Sequence, residues 1–168
     1  MLRKLCLLLG LFFLMSLSAR AQGVLDKVQL FGGYSYMHYD GSPSGSLNGW
    51  EIAPKYKFTD WLGGVADFDG HYGSPSGFSN STHTFLFGPE VSFPARISPF
   101  AHILIGGAHT SIGGATDTSF ATAIGFGIDN RINDLISWRM IQGDYVITHL
   151  FGTTQNNARL STGIVIHF

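Results

Sequence analysis

Cysteine is almost missing from this chain: 168 residues contain one, Cys6, so no disulfide framework can form. Charge is scarce as well. Lys, Arg, Asp and Glu together make up 12% of the residues, about half of the usual quarter. The net charge is −1, and no Lys/Arg cluster or basic stripe stands out. A nucleic-acid partner is therefore not expected, because binding one requires several phosphates to be neutralised together. Beyond the first 21 residues no apolar run approaches the roughly 20 residues that a membrane-spanning helix needs. The 7 His are scattered without metal-ligand spacing, and no motif calls for a cofactor.

What is abundant is apolar and aromatic: hydrophobic residues reach 45% and aromatics 14%, with 14 Phe. Many apolar residues without a long apolar run suit strands, in which successive side chains point to opposite faces. The first residues read differently. Arg3 and Lys4 form a positive n-region, Leu5 to Leu17 an apolar h-region, and Ala19-Arg20-Ala21 a small-x-small cleavage site. Residues 1–21 are thus expected to be a signal peptide, with the mature chain starting near Gln22 and forming one domain over 22–168. Cys6 falls inside that signal, so the mature chain is expected to be free of cysteine.

After Gln22, alternating stretches broken by Gly, Pro, Asn, Asp and Ser clusters predict eight strands. They lie at about Lys27–Tyr39, Leu47–Phe58, Trp61–Tyr72, Thr82–Phe93, Ile97–His109, Thr118–Asn130, Leu135–Ile147 and Asn156–Phe168. The second puts Trp50, Ile52, Tyr56 and Phe58 opposite Glu51, Lys55 and Lys57; the fourth puts Phe85, Phe87, Val91 and Phe93 opposite Thr84, Gly88, Glu90 and Ser92. The sixth sets Phe120, Ile124, Phe126 and Ile128 against Ala121, Ala123, Gly125, Gly127 and Asp129, and the eighth repeats the pattern from Arg159 to Phe168. A soluble barrel would have to pack the large residues inside and face water with Gly, Ala, Ser and few charges, a poor solubilising surface. Inverted, the pattern is sensible: large apolar residues face lipid, and small and ionisable ones share a narrow lumen. About ten residues at a rise of about 3.3 Å, tilted by about 40°, cover the roughly 25 Å apolar band of an outer membrane.

The connections Thr59-Asp60, Pro94–Ser98 and Arg131–Asp134 are short. Those at Asp40–Ser46, Gly73–Ser81, Thr110–Asp117 and Thr148–Gln155 are longer and richer in Gly, Ser and Thr, and they are expected to be extracellular loops. Tyr39, Trp50, Trp61, Tyr72, Phe93 and Trp138, near strand ends, are candidates for interfacial aromatic girdles.

Three features resemble the small outer-membrane β-barrel families of Gram-negative bacteria, the OmpA-type transmembrane domains in particular. They are the opening Val28-Gln29-Leu30-Phe31-Gly32-Gly33-Tyr34-Ser35-Tyr36, the eight-segment layout, and a last strand that ends in Phe168 with apolar residues two, four and eight positions before it. The resemblance implies an eight-stranded antiparallel up-and-down transmembrane β-barrel, and it implies that Phe168 serves as a signal to the barrel-assembly machinery. No peptidoglycan-binding domain is expected to follow, which departs from the OmpA pattern.

Asp67, Asp69 and His71, spaced by two, could aim at one cation. The expected alternative is an internal charge network, since lumen charges in so small a barrel pair with one another. Its candidate members are Glu51, Lys55, Lys57, Asp67, Asp69, Glu90, Asp129, Arg139, Asp144 and Arg159. Arg139, Gln142 and Asp144 cannot all face inward under strict alternation, so either a β-bulge lies between Met140 and Gly143 or one of them sits at the interface. His109-Thr110-Ser111 resembles the His-x-Ser of outer-membrane lipid A deacylases, but Ile112-Gly113-Gly114 replaces the Asn-Ala-Gly continuation and no acidic partner is placed by the sequence. No enzyme is expected. The Gly- and Ala-rich inward face of the sixth strand is expected to leave some room inside.

The expected function is a porin-like or OmpA-like, non-enzymatic outer-membrane scaffold whose loops make structural or adhesive contacts. A narrow pore or a barrel binding a small or lipidic ligand is the alternative, and a lipid A-modifying enzyme comes last. The expected partners are outer-membrane lipid, the barrel-assembly machinery during biogenesis, and a surface partner met through the loops.

Overall fold

In the computed structural model the residues described are 27–39, 45–74, 77, 79–150 and 152–168. The expected signal peptide over 1–21 lies outside them. Eight strands follow one another: β1 (Val28–Tyr39), β2 (Gly45–Lys57), β3 (Leu62–Gly73), β4 (Asn80–Ser92), β5 (Ile97–Ile112), β6 (Ala115–Arg131), β7 (Ile136–Leu150) and β8 (Thr153–His167). Each pairs antiparallel with the next, and β1 pairs with β8 from Gln29↔His167 to Tyr39↔Asn157, so the sheet closes into a barrel. At one end, hereafter the turn end, lie the connections 58–61, 93–96 and 132–135 together with the start of β1 and the end of β8. Local side chains hold them: the Thr59 hydroxyl accepts from the Leu62 amide at 3.0 Å, and the Asn133 side-chain oxygen accepts from the amides of Leu135 and Ile136.

The opposite, hairpin end differs from the sequence expectation. The segments Thr110–Asp117 and Thr148–Gln155 are mostly strand, not loop. In the first, Thr110 pairs with Asp117, Ser111 with Thr116 and Ile112 with Ala115. Only Gly113 and Gly114 turn the chain, with φ of +57° and +95°. A two-residue turn with both φ positive matches strand twist and needs glycine, so the ladder runs to the tip. In the second, Thr148 pairs with Gln155 and His149 with Thr154, and Gly152 has φ +75°. Abundant Thr, Ser and Gly reads as loop composition, yet Thr is a good strand former and the glycines are needed only at the tips. Of the other two expected loops, 40–44 lies outside the described residues, and 74–79 joins β3 to β4.

The barrel is inside out. Phe58, Trp61, Phe85, Phe87, Phe93, Ile103, Phe120, Ile124, Phe126, Leu160 and many more large apolar side chains are exposed, whereas Glu51, Asp67, Asp69, His71, Glu90, Gln142, Asp144 and Arg159 are buried. Such an outer face needs lipid around it, and the strands are transmembrane. Trp61, Tyr72, Phe93 and Trp138 are exposed near strand ends, whereas Trp50 is exposed in the middle of β2, because that strand begins earlier than the sequence pattern predicts. Tyr39 is not a girdle residue: it has the inward parity of Ser35 and Met37, and its hydroxyl accepts from the Asn80 amide at 3.2 Å. In β7 the question of parity is resolved by a bulge. Met140 and Ile141 both point outward, at 43% and 51% exposure, and the register to β8 shifts between Arg139 and Gln142. One extra residue on the outside brings Arg139, Gln142 and Asp144 all to the inside.

If the apolar face lies in lipid, charge on it should be penalised by depth. Ile124→Arg, in the middle of the β6 face, is expected to cost about 2–4 kcal/mol, and Thr116→Arg, near the hairpin tip, about 0–1 kcal/mol. Equilibrium denaturant unfolding in lipid vesicles measures both, and equal costs would contradict the assignment.

Candidate functional site

The site is the lumen, where β2 to β8 all deliver ionisable side chains that gather into three groups. Arg159 on β8 is its centre. Its Nε donates to Asp144 Oδ2 at 2.8 Å, and its two terminal nitrogens grip Asp67 at 2.6 and 3.2 Å. One of those nitrogens also donates to Asp69 Oδ2, and Glu51 Oε2 stands 3.9 Å from Nε. One planar guanidinium with five donors thus meets carboxylates from β2, β3 and β7, which no lysine could do.

The remaining lone pairs are taken up by hydroxyl, amide and imidazole groups. Glu51 accepts from the Ser161 hydroxyl at 2.5 Å and from Gln142 Nε2 at 2.9 Å. Asp69 accepts from His71 Nδ1 at 3.1 Å and from the Thr84 hydroxyl, and His71 Nε2 meets Ser35 Oγ at 2.9 Å. Towards the turn end a second group forms. Lys55 Nζ donates to Glu90 Oε1 at 2.6 Å, and His102 links the two groups, with Nε2 2.8 Å from Asp144 and Nδ1 3.6 Å from Glu90. Arg139 makes the third layer. It donates to both Asp129 oxygens at 2.9 and 3.1 Å and to Gln142 Oε1 at 2.6 Å. Its guanidinium lies between the Phe31 and Phe100 rings, 4.4 and 4.1 Å from their centroids, where cation–π attraction adds to the ion pair.

Across the lumen from Arg159 an apolar cluster fills the space, including Leu86, Leu104, Ala121, Ala123 and Val146. The expected room along β6 is taken up. A Cβ on Gly125 would stand 1.8 Å from Asp144 Oδ1, and one on Gly127 would stand 2.4 Å from the Phe100 ring. These glycines receive the ion pair and the aromatic floor; they do not line a channel. At the turn end the lumen opens into a vestibule of about 440 Å³ lined by Gln29, Lys57, Asp60, Arg96, Arg131 and His167 among others. Further in, a void of about 10 Å³ borders Phe31, Glu90 and Arg139, roughly the space of one water.

Of the ten network candidates, Glu51, Lys55, Asp67, Asp69, Glu90, Asp129, Arg139, Asp144 and Arg159 lie in these three groups. Lys57 does not join them; it lines the vestibule. Asp67, Asp69 and His71 do not converge on one point, because Asp67 turns to Arg159 while His71 turns to Asp69 and Ser35. His102 and Gln142 are the members that the sequence reading left out of the network. The inward parity of His102 with Phe100 and Leu104 is the signal that finds it. His109 and Ser111 are away from the lumen network, and His109 Nδ1 bonds the Thr118 hydroxyl at 2.7 Å. Phe168 is exposed beside the end of β8, and its amide donates to Val28 O at 3.1 Å.

No known family model matches the sequence, and no curated protein matches it. Solved structures do. Neisserial surface protein A (NspA) aligns with a TM-score of 0.68 at 14% identity, over 84% of this chain and 97% of that one. OprG, an outer membrane protein of Pseudomonas aeruginosa, gives 0.57 at 12% identity, over 84% and 95%. Ail, the attachment invasion locus protein of Yersinia pestis, gives 0.55 at 15% identity, over 82% and 97%. At such identities the likeness is one of fold, and the fold is that of the small outer-membrane barrels.

Removing Arg159 leaves several buried carboxylates facing one another. Arg159→Met is therefore expected to cost roughly 3–5 kcal/mol in denaturant unfolding. Adding Asp67→Asn should recover part of that loss, because one uncompensated charge is gone. Strict additivity of the two substitutions would show that Arg159 and Asp67 are not coupled.

Proposed function

We propose that this chain, a barrel of the small outer-membrane type, works in the outer membrane of a Gram-negative cell as a closed, non-enzymatic scaffold that presents its hairpin end to a surface partner. A cleaved N-terminal signal and the barrel-assembly machinery would bring it there, and the turn end would face the periplasm. The observation that carries this reading is the closed lumen. Between vestibule and hairpin end lie Arg139 between two Phe rings, the Arg159 cluster and the apolar cluster opposite it. With eight strands a barrel has room for its own side chains and little more.

The presented surface is stiff. The β5–β6 and β7–β8 ladders run to their glycine turns, and Thr116, Thr118, Thr153, Thr154 and Asn156 are exposed along them. The Ail structure has been solved in complex with the heparin analogue sucrose octasulfate. This chain is differently equipped: from residue 27 on, its Lys and Arg are Lys27, Lys55, Lys57, Arg96, Arg131, Arg139 and Arg159, which belong to the lumen or the turn end. Among the described residues the hairpin end offers hydroxyl, amide and imidazole groups and the Asp117 carboxylate instead, so it fits a neutral polar partner better than a sulfated one.

A narrow pore is the second reading, favoured by the vestibule of about 440 Å³ that reaches the Arg139 layer. Single-channel conductance in a planar bilayer separates the two. Silence is expected from the wild-type protein, and conductance from Arg139→Ala combined with Phe100→Ala, which removes the floor of the vestibule. Steady, ion-selective conductance of the wild type would overturn the closed-scaffold reading.

A further inference from the structure

The vestibule at the turn end carries a charge pattern that a scaffold does not need. Lys57 is the last residue of β2 and Arg131 the last of β6. In a closed ring of eight strands β2 and β6 are four apart in either direction, so these two cations stand on opposite walls of the vestibule that both line. They are still close enough for the charge of Arg131 to act on Lys57. Arg96, on the β4–β5 connection, lines the same space. Like charges facing each other across a cavity raise the local concentration of an ion of opposite sign.

Three carboxylates also line the vestibule, and none of them fills its middle. Both Asp129 oxygens are held by Arg139, at 2.9 and 3.1 Å. Asp134 is fully in water at the rim, paired with Arg131 at 3.3 Å. Asp60 is exposed on the β2–β3 turn; it attracts Lys57 from there without closing an ion pair. Among the described residues neither Lys57 nor Arg96 has an ion-pair partner, whereas Lys55 is closed on Glu90 at 2.6 Å. With the Lys55–Glu90 and Arg139–Asp129 pairs set aside, three cations face two carboxylates, and both carboxylates are out at the mouth. A neutral donor stands on a third wall. Ser92 Oγ accepts from Lys55 Nζ at 3.1 Å, which leaves its own proton free to donate elsewhere.

We infer that the vestibule is a binding site for a soluble phosphate dianion, free or as the head of a small organic phosphate, seated between Lys57 and Arg131 with the Ser92 hydroxyl donating from the side. A monocarboxylate would answer one of the two facing cations; a dianion answers both. Lysine meets phosphate as a point charge and arginine as a fork of donors, so the two walls supply complementary contacts. A space of about 440 Å³ exceeds what a phosphate fills and leaves room for a body the size of glycerol or one sugar ring. The wall is an unbroken sheet, so the ligand comes from water through the mouth and not sideways from lipid. The site does not depend on what meets the hairpin end, and it ends at the Arg139 layer.

The test is calorimetric titration of the untagged full-length chain, folded in uncharged detergent at low ionic strength, with orthophosphate and with glycerol 3-phosphate. One phosphate per barrel is expected, with binding that weakens as salt is added. Lys57→Gln and Arg131→Gln should each weaken it by about tenfold, the worth of one charge-assisted hydrogen bond, and acetate should bind the wild type about tenfold more weakly than phosphate. Asp60→Asn, which removes a competing carboxylate, should tighten binding by about threefold. Lys27→Gln, an exposed lysine outside the vestibule, should change nothing. Circular dichroism confirms that each variant is folded, and Lys57→Arg should keep the site. Three outcomes would overturn the inference: no heat at millimolar phosphate, a loss in Lys27→Gln equal to that in Lys57→Gln, or binding of dihexanoyl phosphatidylglycerol in place of either soluble phosphate. The last would mean a lipid headgroup at the rim.

Discussion

A chain that crosses hydrocarbon must satisfy every backbone N–H and C=O within itself, and a sheet can do so only by having no edge. Closure of β1 onto β8 meets that demand here, over a register that runs the length of β1. It also requires close approach at the seam. Gly33 faces Gly163, and a Cβ on Gly33 would stand 2.2 Å from the Thr162 carbonyl oxygen. Much else follows from closing at eight strands. The circumference is small, the lumen is narrow, and inward side chains must be compatible with one another because little water can enter to solvate them.

Ionisable groups would be ruinous in such a space unless each found a partner, since the desolvation of a buried ion costs several kcal/mol. The arrangement distributes the burden. Arg159 takes carboxylates from three strands, His102 bridges two groups, and Ser35, Thr84, Ser161 and Gln142 occupy remaining lone pairs. Two backbone devices make this possible. The β7 bulge brings Gln142 and Asp144 inward beside Arg139, and the bare backbone of Gly125 gives the Asp144–His102 pair its seat. Small residues on β6 are thus the complement of large polar groups on β5 and β7, much as small and large residues alternate across an apolar core.

How far the sequence revealed this depends on the physical range of each signal. Alternation is a property of neighbouring residues, so the strand number, the outward apolar face and nine of the ten network positions could be read from parity alone. Lys57 has the same parity as Lys55 but lies one step nearer the mouth, where the vestibule solvates it. Parity reports the face and not the depth. The partners of each charge depend on how distant strands are staggered. Arg159 and Asp67 are far apart in sequence and meet only because β8 and β3 curve around one lumen, which no local pattern encodes. The hairpin tips were misread for a different reason. Thr-rich segments carry no apolar alternation once they leave the membrane, so the ladder continues after its sequence signature has faded.

The two ends of the barrel differ for the same physical reason. At the turn end the connections are brief, the lumen widens into a vestibule, and Lys57, Arg96 and Arg131 line it where water can reach them. At the hairpin end β5 to β8 continue as paired ladders that bear threonine, asparagine and histidine, with Asp117 the charged residue among them. A rim with so little charge gains specificity from geometry and little from long-range attraction. The filled lumen and the long hairpin ladders are thus joined by one constraint: eight closed strands leave the interior to side-chain pairing, and the same ladders carry on past it to their glycine turns.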